Sequence, residues 1–335
     1  MKIGIVGNGG IVQQALHCLQ EEKIEMTALW CRNGEKGKPL CDQYQLKLYT
    51  DYEAFLKDDS YDTVYIGLIN SLHYEYAMKA VEAKKNVIVE KPFTSRYAEA
   101  VDLINAAEEN GVMLFEAIMS RYSRNYDAII TRLDEIGDIK LIQANYSQYS
   151  RRYDAYQKGQ VLPAFDPKLS GGALYDINVY NVHFVTGLFG SPRSVQYFCN
   201  KGPNGIDTSG TLILDYQAFK AILTGGKDSA SPSGTFIQGT EGTLIFPERP
   251  GVIRNVQLQK HDNKEPEVID TAMEGNAMNQ EFRRIAEVVD KNDTTQAAVW
   301  MMHTRQAMSV LDQARVAADI HFAADDVPLA FSEDY

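Results

Sequence analysis

The chain has 335 residues, 44% hydrophobic and 23% charged, an ordinary globular balance with length enough for about two domains with sizeable cores. Its net charge of −12 argues against nucleic acid or an anionic membrane as the main partner. The four cysteines (Cys18, Cys31, Cys41, Cys199) lack CxxC or zinc-type spacing and point to a reducing compartment rather than a disulfide framework. Residues 2–6 read as a strand ending in glycines, and 11–20 as a helix with Leu16 and Leu19 on its apolar side. Strands follow at 25–31, 63–69, 86–90 and 112–116, and helices at 52–57, 72–83 and 98–109. This alternation predicts an α/β Rossmann domain: a doubly wound parallel sheet, covered on both faces, with its ligand at the carboxyl ends of the strands.

The pattern changes after residue 120. A helix is expected at 124–136, a long alternating strand at 139–149 and a helix at 173–188. Strands are expected at 194–199, 210–215, 218–224, 235–238, 243–246 and 252–259, with Gly239-Thr240-Glu241-Gly242 as a hairpin connection. Helices at 276–290 and 294–318 close the chain. The second half is therefore α+β with a large, mostly antiparallel open sheet. The division falls near residues 117–121, giving a dinucleotide-binding domain at 1–118 and a substrate-binding and oligomerisation domain at 119–335.

The first chemistry sits in Gly7-Asn8-Gly9-Gly10. Gly7 permits a tight turn after the strand, and Gly9 lets the backbone approach a pyrophosphate. The following helix offers free N–H groups and a positive dipole end to the phosphates. The third glycine position of the usual fingerprint is Val12. At the end of the second strand an NAD site would place Asp or Glu near the ribose hydroxyls; this chain has Cys31-Arg32, with Lys36 and Lys38 just beyond. A guanidinium can pair with a 2′-phosphate, so NADP is expected in preference to NAD. Asn70 and Ser71 follow the next strand and can cap a helix, with His73 in its first turn as a packing or catalytic group. Lys91 ends the strand at 86–90, where a lysine can handle a proton beside a nicotinamide.

In the second half, Asp176, Tyr180 and His183 fall at i, i+4 and i+7, the spacing of one helix face. They bring a carboxylate, a phenol and an imidazole to an otherwise apolar helix. Ser120-Arg121-Tyr122 enters the second domain where a substrate would lie, and Arg121 equally suits an ion pair with an acidic group. Residues 150–170, with Arg151, Arg152, Tyr153, Tyr156 and Phe165, read as a polar, aromatic loop able to cover a sugar or polyol, or as an ordinary surface loop.

These motifs together resemble the Gfo/Idh/MocA family of glucose-fructose oxidoreductase and inositol dehydrogenase. The resemblance rests on the N-terminal glycine turn with Ile11, Asn70-x-x-His73, Glu90-Lys91-Pro92, Phe165-Asp166-Pro167 and Gly171-Gly172-Ala173-Leu174-Tyr175-Asp176-Ile177. It covers nearly the whole chain and implies a Rossmann domain followed by an open-sheet α/β domain whose exposed face commonly makes the dimer interface. It implies that Gly7, Asn8, Gly9, Gly10, Ile11, Leu68, Asn70 and His73 line the cofactor, that Glu90 contacts its nicotinamide end, and that Lys91 touches both cofactor and substrate through a cis bond to Pro92. Leu68-Ile69 replaces the usual Thr-Pro, and Gly10 and Val12 depart from the commonest turn. Inositol-type relatives carry a histidine four residues after the aspartate. Tyr180 stands there, as in the branch of dihydrodiol and xylose dehydrogenases.

The expected reaction is hydride exchange between a nicotinamide and a carbinol or carbonyl carbon of a sugar, polyol or trans-diol. Tyr180 is the acid/base. A free phenol titrates near 10, and a nearby ammonium such as Lys91 favours its ionised form. Asp176 orients Lys91 or a substrate hydroxyl, and Arg121, Phe165 and His183 complete the substrate contacts. The alternatives are an NAD-linked inositol-type dehydrogenase using His183, and a nucleotide-sensing regulator that lost catalysis. A homodimer or homotetramer through the second sheet is expected, with no metal, nucleic acid or membrane partner. Met1-Lys2 runs straight into Ile3-Gly4-Ile5-Val6, and no apolar run approaches the roughly 18 residues a membrane span needs, so the reading is cytoplasmic.

Overall fold

The structure, a computed structural model, describes residues 1–269 and 276–329. Its first sheet contains β1 (Lys2–Val6), β2 (Glu25–Trp30), β3 (Lys47–Tyr49), β4 (Thr63–Ile66), β5 (Asn86–Glu90) and β6 (Leu114–Ala117). The six strands are parallel and ordered β3-β2-β1-β4-β5-β6, so the strand order reverses beside β1, the switch point where a doubly wound sheet opens a crevice. Ile5, Val6, Val64, Ile66, Val87, Ile88 and Val89 are all fully buried. Burial on both faces explains why these strands read as continuous apolar runs, each such side chain contributing roughly 1.5–3 kcal/mol.

Helices α1 (Gly10–Glu21), α2 (Gly34–Tyr44), α3 (Tyr52–Leu56), α4 (His73–Glu82) and α5 (Tyr97–Asn110) connect these strands. The sequence reading has no counterpart of α2 and β3. Helix α2 carries Gly34, Gly37 and an internal Pro39, all poor helix formers. It forms because Asn33 caps it, its Oδ1 accepting from Lys36 N, and because Gly37 and Cys41 pack inward. Strand β3 has three residues, too few for a period to show.

The second sheet has eight strands: β7 (Ile139–Ser147), β8 (Ser194–Lys201), β9 (Asp207–Asp215), β10 (Lys220–Gly226), β11 (Gly234–Gly239), β12 (Gly242–Phe246), β13 (Gln257–Lys260) and β14 (Glu267–Val268). Their order is β14-β13-β12-β11-β7-β10-β9-β8, antiparallel except where β10 runs parallel to β7. The hairpin at 239–242 pairs Gln238 with Thr243, as expected. The strand expected at 252–259 begins later, at Gln257, and β14 was too short to read. Helices α6 (Arg124–Arg132), α7 (Arg151–Gln157) and α8 (Val179–Phe189) complete this half. Part of the expected loop at 150–170 is thus helical: Ser150 caps α7, accepting from Arg152 N.

The chain forms two compact units. One comprises Met1–Ala117 and Met278–Arg305; the other comprises Ile118–Ala277 and Gln306–Pro328. Of the closing helices, α9 (Ala277–Asp290) and the first half of α10 (Thr294–Ala317) belong almost wholly to the first unit. There Phe282 meets Tyr65 edge-on at 5.6 Å, and Trp300 lies 6.2 Å from Phe115.

Candidate active site

In the first unit, β1 delivers Gly7 at φ +112°, a conformation that L side chains rarely adopt; a Cβ there would lie 2.6 Å from Gly67 O. Helix α1 starts at Gly10 with Gly9 as N-cap, with no side-chain cap and no acidic residue in its first turn. A Cβ on Gly9 would meet nothing within 4 Å, so the backbone there is open to a ligand. These features border a cavity of about 330 Å³ that brings together Gly7, Asn8, Gly9, Ile11, Arg32 and Leu68 of the expected cofactor residues. The uncapped helix end, the bare glycine surface and the cavity fit the pyrophosphate of a dinucleotide.

Trp30, Cys31 and Tyr76 also line this cavity; Cys31 was expected at the ribose end, whereas Tyr76 has no counterpart in the sequence reading. Trp30 lies 5.0 Å from Tyr76 and 5.1 Å from Tyr52, forming an aromatic wall. Its indole N–H is buried with no hydrogen-bond partner among the described residues. The Cys31 thiol donates to Asn33 O at 3.1 Å, and burial pushes its pKa up, so it is a packed group. Arg32 is exposed at the rim, whereas Lys38 is engaged with Asp42 at 2.8 Å. A larger cavity, about 680 Å³, is lined by residues of α5, β6 and α10 and has Glu108 as its one ionisable side chain, which leaves it without the groups a reaction needs.

Gly10, Asn70, His73, Glu90 and Lys91 do not line the 330 Å³ cavity. His73 is completely buried; its Nδ1 lies 2.8 Å from Pro92 O and its Nε2 3.1 Å from Leu68 O. Burial lowers its pKa, and the ring lies between the loop after β4 and the loop after β5, where its neutral form donates to one of the two carbonyls. Asn70 opens a short 3-10 turn before α4. Lys91 is partly exposed, and its bond to Pro92 is cis, as expected. Glu90 is buried and accepts from Tyr65 OH at 2.7 Å and from Lys91 N at 3.3 Å. Burial pushes its carboxyl up to about 7, outweighing Tyr65 and the Lys91 charge. Two more acids are buried nearby. Glu116 on β6 accepts from Phe93 N at 3.0 Å, and Glu281 on α9 is fully buried with both oxygens lacking a hydrogen-bond partner among the described residues. Burial and the two neighbouring glutamates push Glu281 well above the usual carboxyl range.

In the second unit the sequence anticipates one continuous helix through Asp176. The structure instead has a π-helical turn at Leu174–Asn178 that passes into α8. The side-chain amides of Asn178 and Asn181 donate to Leu223 O at 3.2 Å and Thr224 O at 3.0 Å, binding the widened turn to β10. The turn's entry is fixed by buried Asp207, which accepts from Leu174 N at 2.6 Å and Tyr197 OH at 2.8 Å. Gly172, at φ +101°, passes so close to Asp207 that a side chain would collide with it.

The expected shared face divides within α8. Asp176 and Tyr180 are partly exposed, but His183 is 5% exposed and belongs to the core. Tyr180 packs 5.8 Å from the Tyr146 ring, whose hydroxyl accepts from the Arg249 guanidinium at 3.0 Å. Gly251 leaves room for the Tyr180 ring, where a Cβ would come within 3.0 Å. Asp176 Oδ2 pairs with Lys227 Nζ at 2.6 Å. Lys227 escaped the sequence reading because its local context is a polar, serine-rich stretch. Phe165, expected to touch substrate, is fully buried; it stacks on Tyr156 at 5.1 Å, with Lys227 Nζ 4.4 Å from its ring centroid. It therefore bears on Asp176 through Lys227 and offers no surface of its own. Arg121 lies 3.7 Å from Asp127 and 4.9 Å over the Tyr126 ring, the ion-pair alternative of the sequence reading. Among the described residues no cluster of His, Cys, Asp and Glu suits a metal ion, and no helix is long and apolar enough to cross a membrane.

Residues 1–118 match the family model described as "Oxidoreductase family, NAD-binding Rossmann fold", and residues 130–245 match the GFO/IDH/MocA C-terminal domain. The chain is 32% identical to the scyllo-inositol 2-dehydrogenase (NADP(+)) IolU of Bacillus subtilis over 73% of this chain and 76% of that protein. It is 32% identical to a trans-1,2-dihydrobenzene-1,2-diol dehydrogenase of Xenopus laevis over 73% of this chain and 75% of that one. KijD10, a 3-ketoreductase from Actinomadura kijaniata solved with NADP and TDP-benzene, superposes with a TM-score of 0.83 at 23% identity, over 95% of this chain and 97% of that one. Two domain models in the expected order, relatives of this identity and a sheet that ends in an uncapped glycine turn agree: the chain belongs to the GFO/IDH/MocA family of NAD(P)-dependent oxidoreductases.

Proposed function

We propose that this enzyme is an NADP(H)-dependent dehydrogenase or reductase of a sugar, polyol or trans-diol, with Tyr180 as acid/base assisted by Lys91 and Asp176. The observation that carries the reading is the exposure pattern of the helix after Gly172: Asp176 and Tyr180 reach the surface of the second unit while His183 is packed away. That pattern favours a phenol over an imidazole as the proton-transfer group. The substrate class follows the named activities of the inositol and dihydrodiol relatives. Preference for NADP rests on Arg32 at the cavity rim, with no carboxylate lining that cavity, and on the NADP named for both IolU and KijD10.

When bound, the nicotinamide accepts or supplies the hydride. The chain's residues do the rest. Gly7, Gly9 and the first turn of α1 would hold the phosphates, and Arg32 would pair with a 2′-phosphate. The Lys91 ammonium supplies positive charge to the reacting oxygen, which favours its ionised form as the carbon–hydrogen bond changes hands. The Tyr180 hydroxyl accepts or returns the proton of that oxygen. Asp176 accepts a hydrogen bond from a substrate hydroxyl and so orients the sugar. The open sheet, with Phe198 63% and Phe236 40% exposed, supports a homodimer or homotetramer through that face.

A panel of scyllo-inositol, D-xylose and trans-1,2-cyclohexanediol, assayed at 340 nm with NADP⁺ and NAD⁺, tests the reading. Turnover of at least one with a clear NADP⁺ preference supports it; NAD⁺ preference overturns the cofactor assignment, and no turnover overturns the substrate class.

A further inference from the structure

Lys227 follows β10 directly and is only 2% exposed. Taking an ammonium out of water costs several kcal/mol unless partners replace the solvent. Here they do. Nζ lies 2.6 Å from Asp176 Oδ2, donates to Ala164 O at 2.7 Å, and stands 4.4 Å from the Phe165 ring centroid. The backbone of Lys227 is also held on both sides, its N–H donating to Thr208 O at 2.9 Å and its carbonyl accepting from Ser150 N at 2.8 Å. The Asp176 side chain, by contrast, keeps 34% of its surface exposed. The carboxylate is therefore held from inside the protein at Oδ2 while part of the side chain stays in reach of solvent.

We propose that Lys227 is a positioning residue of the active site: it fixes the orientation and charge of Asp176, so that the carboxylate is aligned for a substrate hydroxyl. This rests on the reading that Asp176 contacts the substrate. The geometry suits a compact ammonium, which serves a carboxylate, a carbonyl and an aromatic face from one point. Asp207 on β9 is a second buried carboxyl that feels the Lys227 charge, although burial still raises its pKa. The other titratable groups around this part of the second unit are Tyr175 in the π-helical turn, Tyr180 and His183 on α8, Tyr197 on β8 and Asp228 beside Lys227. The clamp also joins Asp176 to the Ala164-Phe165 end of the covering segment, so substrate orientation and the packing of that segment depend on one side chain.

The test compares Lys227→Met, Lys227→Arg, Asp176→Asn and the double variant Asp176→Asn/Lys227→Met, with the same three substrates and NADP⁺. Lys227→Met should lower kcat on the order of 10²-fold, the scale expected for a misplaced contact, with NADPH affinity by fluorescence unchanged. The acid limb of its kcat profile should move to higher pH, because an opposite charge nearby favours the ionised carboxylate. Lys227→Arg should restore the limb. The double variant should turn over no more slowly than Asp176→Asn alone, since Lys227 acts through Asp176. Equal losses in Lys227→Met and Lys227→Arg with an unmoved limb would mean a merely structural lysine and sink the inference, as would additive losses in the double variant. If Lys227→Met fails to fold, the double variant, which leaves no unpaired buried charge, decides by the same comparison with Asp176→Asn. Wild-type turnover in Asp176→Asn would instead sink the underlying reading of the site. If none of the substrates turns over, the Asp176 carboxyl titration followed by ¹³C NMR in wild type and Lys227→Arg, against Lys227→Met, still decides: a raised midpoint in Lys227→Met supports the clamp, and an unchanged one overturns it.

Discussion

Two sets of acidic side chains, one in each unit, meet their surroundings in opposite ways. In the first unit, Glu90, Glu116 and Glu281 share an interior where hydroxyl and backbone N–H donors are few, and burial drives Glu90 and Glu281 toward the neutral acid. In the second unit, Asp176 lies against the buried ammonium of Lys227 and stays partly open to solvent. The same functional group is thus pushed toward its neutral form in one place and set beside a compensating cation in the other. Residue type does not fix the charge of a carboxyl; the company it keeps in the interior does.

The largest expected effect separates the two regions by their tasks. Tyr180→Phe should cut kcat by about 10²–10⁴-fold, the usual worth of a positioned acid/base, with NADPH affinity by fluorescence titration unchanged. Retained turnover would remove proton transfer from the second unit. Gly7→Ala should do the reverse. Its Cβ meets Gly67 O in a left-handed backbone conformation, so about 1–3 kcal/mol of stability is lost. NADPH affinity should fall by at least tenfold, read by urea unfolding and titration; wild-type affinity would mean that the glycine turn does not hold the phosphates. Arg32→Ala is narrower: the ratio of kcat/KM for NADP⁺ over NAD⁺ should drop about tenfold, the worth of one charge-assisted contact. An unaltered ratio would assign the preference elsewhere.

The smallest effect sharpens the contrast in burial. Glu90 and Glu281 have folded pKa values raised above those of the unfolded chain, so the stability they confer is complete below the ordinary carboxyl range and is lost as pH rises, for Glu90 through about 7. Glu281→Gln removes one such group. The variant should match wild type near pH 5 and exceed it by about 1 kcal/mol near pH 8 in urea unfolding. Parallel pH curves would show that folding does not raise the Glu281 pKa.

What the sequence made legible follows from physics acting over short distances. The strand, glycine turn and helix at Val6–Ile11 depend on neighbours in the chain, and so does Lys91 at the end of β5, so both could be read directly. Asp176 and Tyr180 could be placed on one helix, but the π-helical turn could not be foreseen, because it is held by Asn178 and Asn181 bonding to carbonyls of a distant strand. Lys227 and Asp207 were invisible for the same reason. Each lies far from its partner in sequence, and neither carries a local pattern that separates it from an ordinary surface residue. Phe165 shows the converse limit: an aromatic in a polar segment looks like a ligand contact until burial assigns it to the interior.

The membership of α9 and the first half of α10 in the first unit has a consequence for engineering. A gene fragment stopping at residue 118 would encode the whole parallel sheet yet leave Tyr65 and Phe115 without the aromatic rings that cover them. A transplantable nucleotide module has to be spliced from both ends of the reading frame, with residues 278–305 grafted back by a linker. Recombination at a single crossover point would exchange halves that do not correspond to anything able to fold alone.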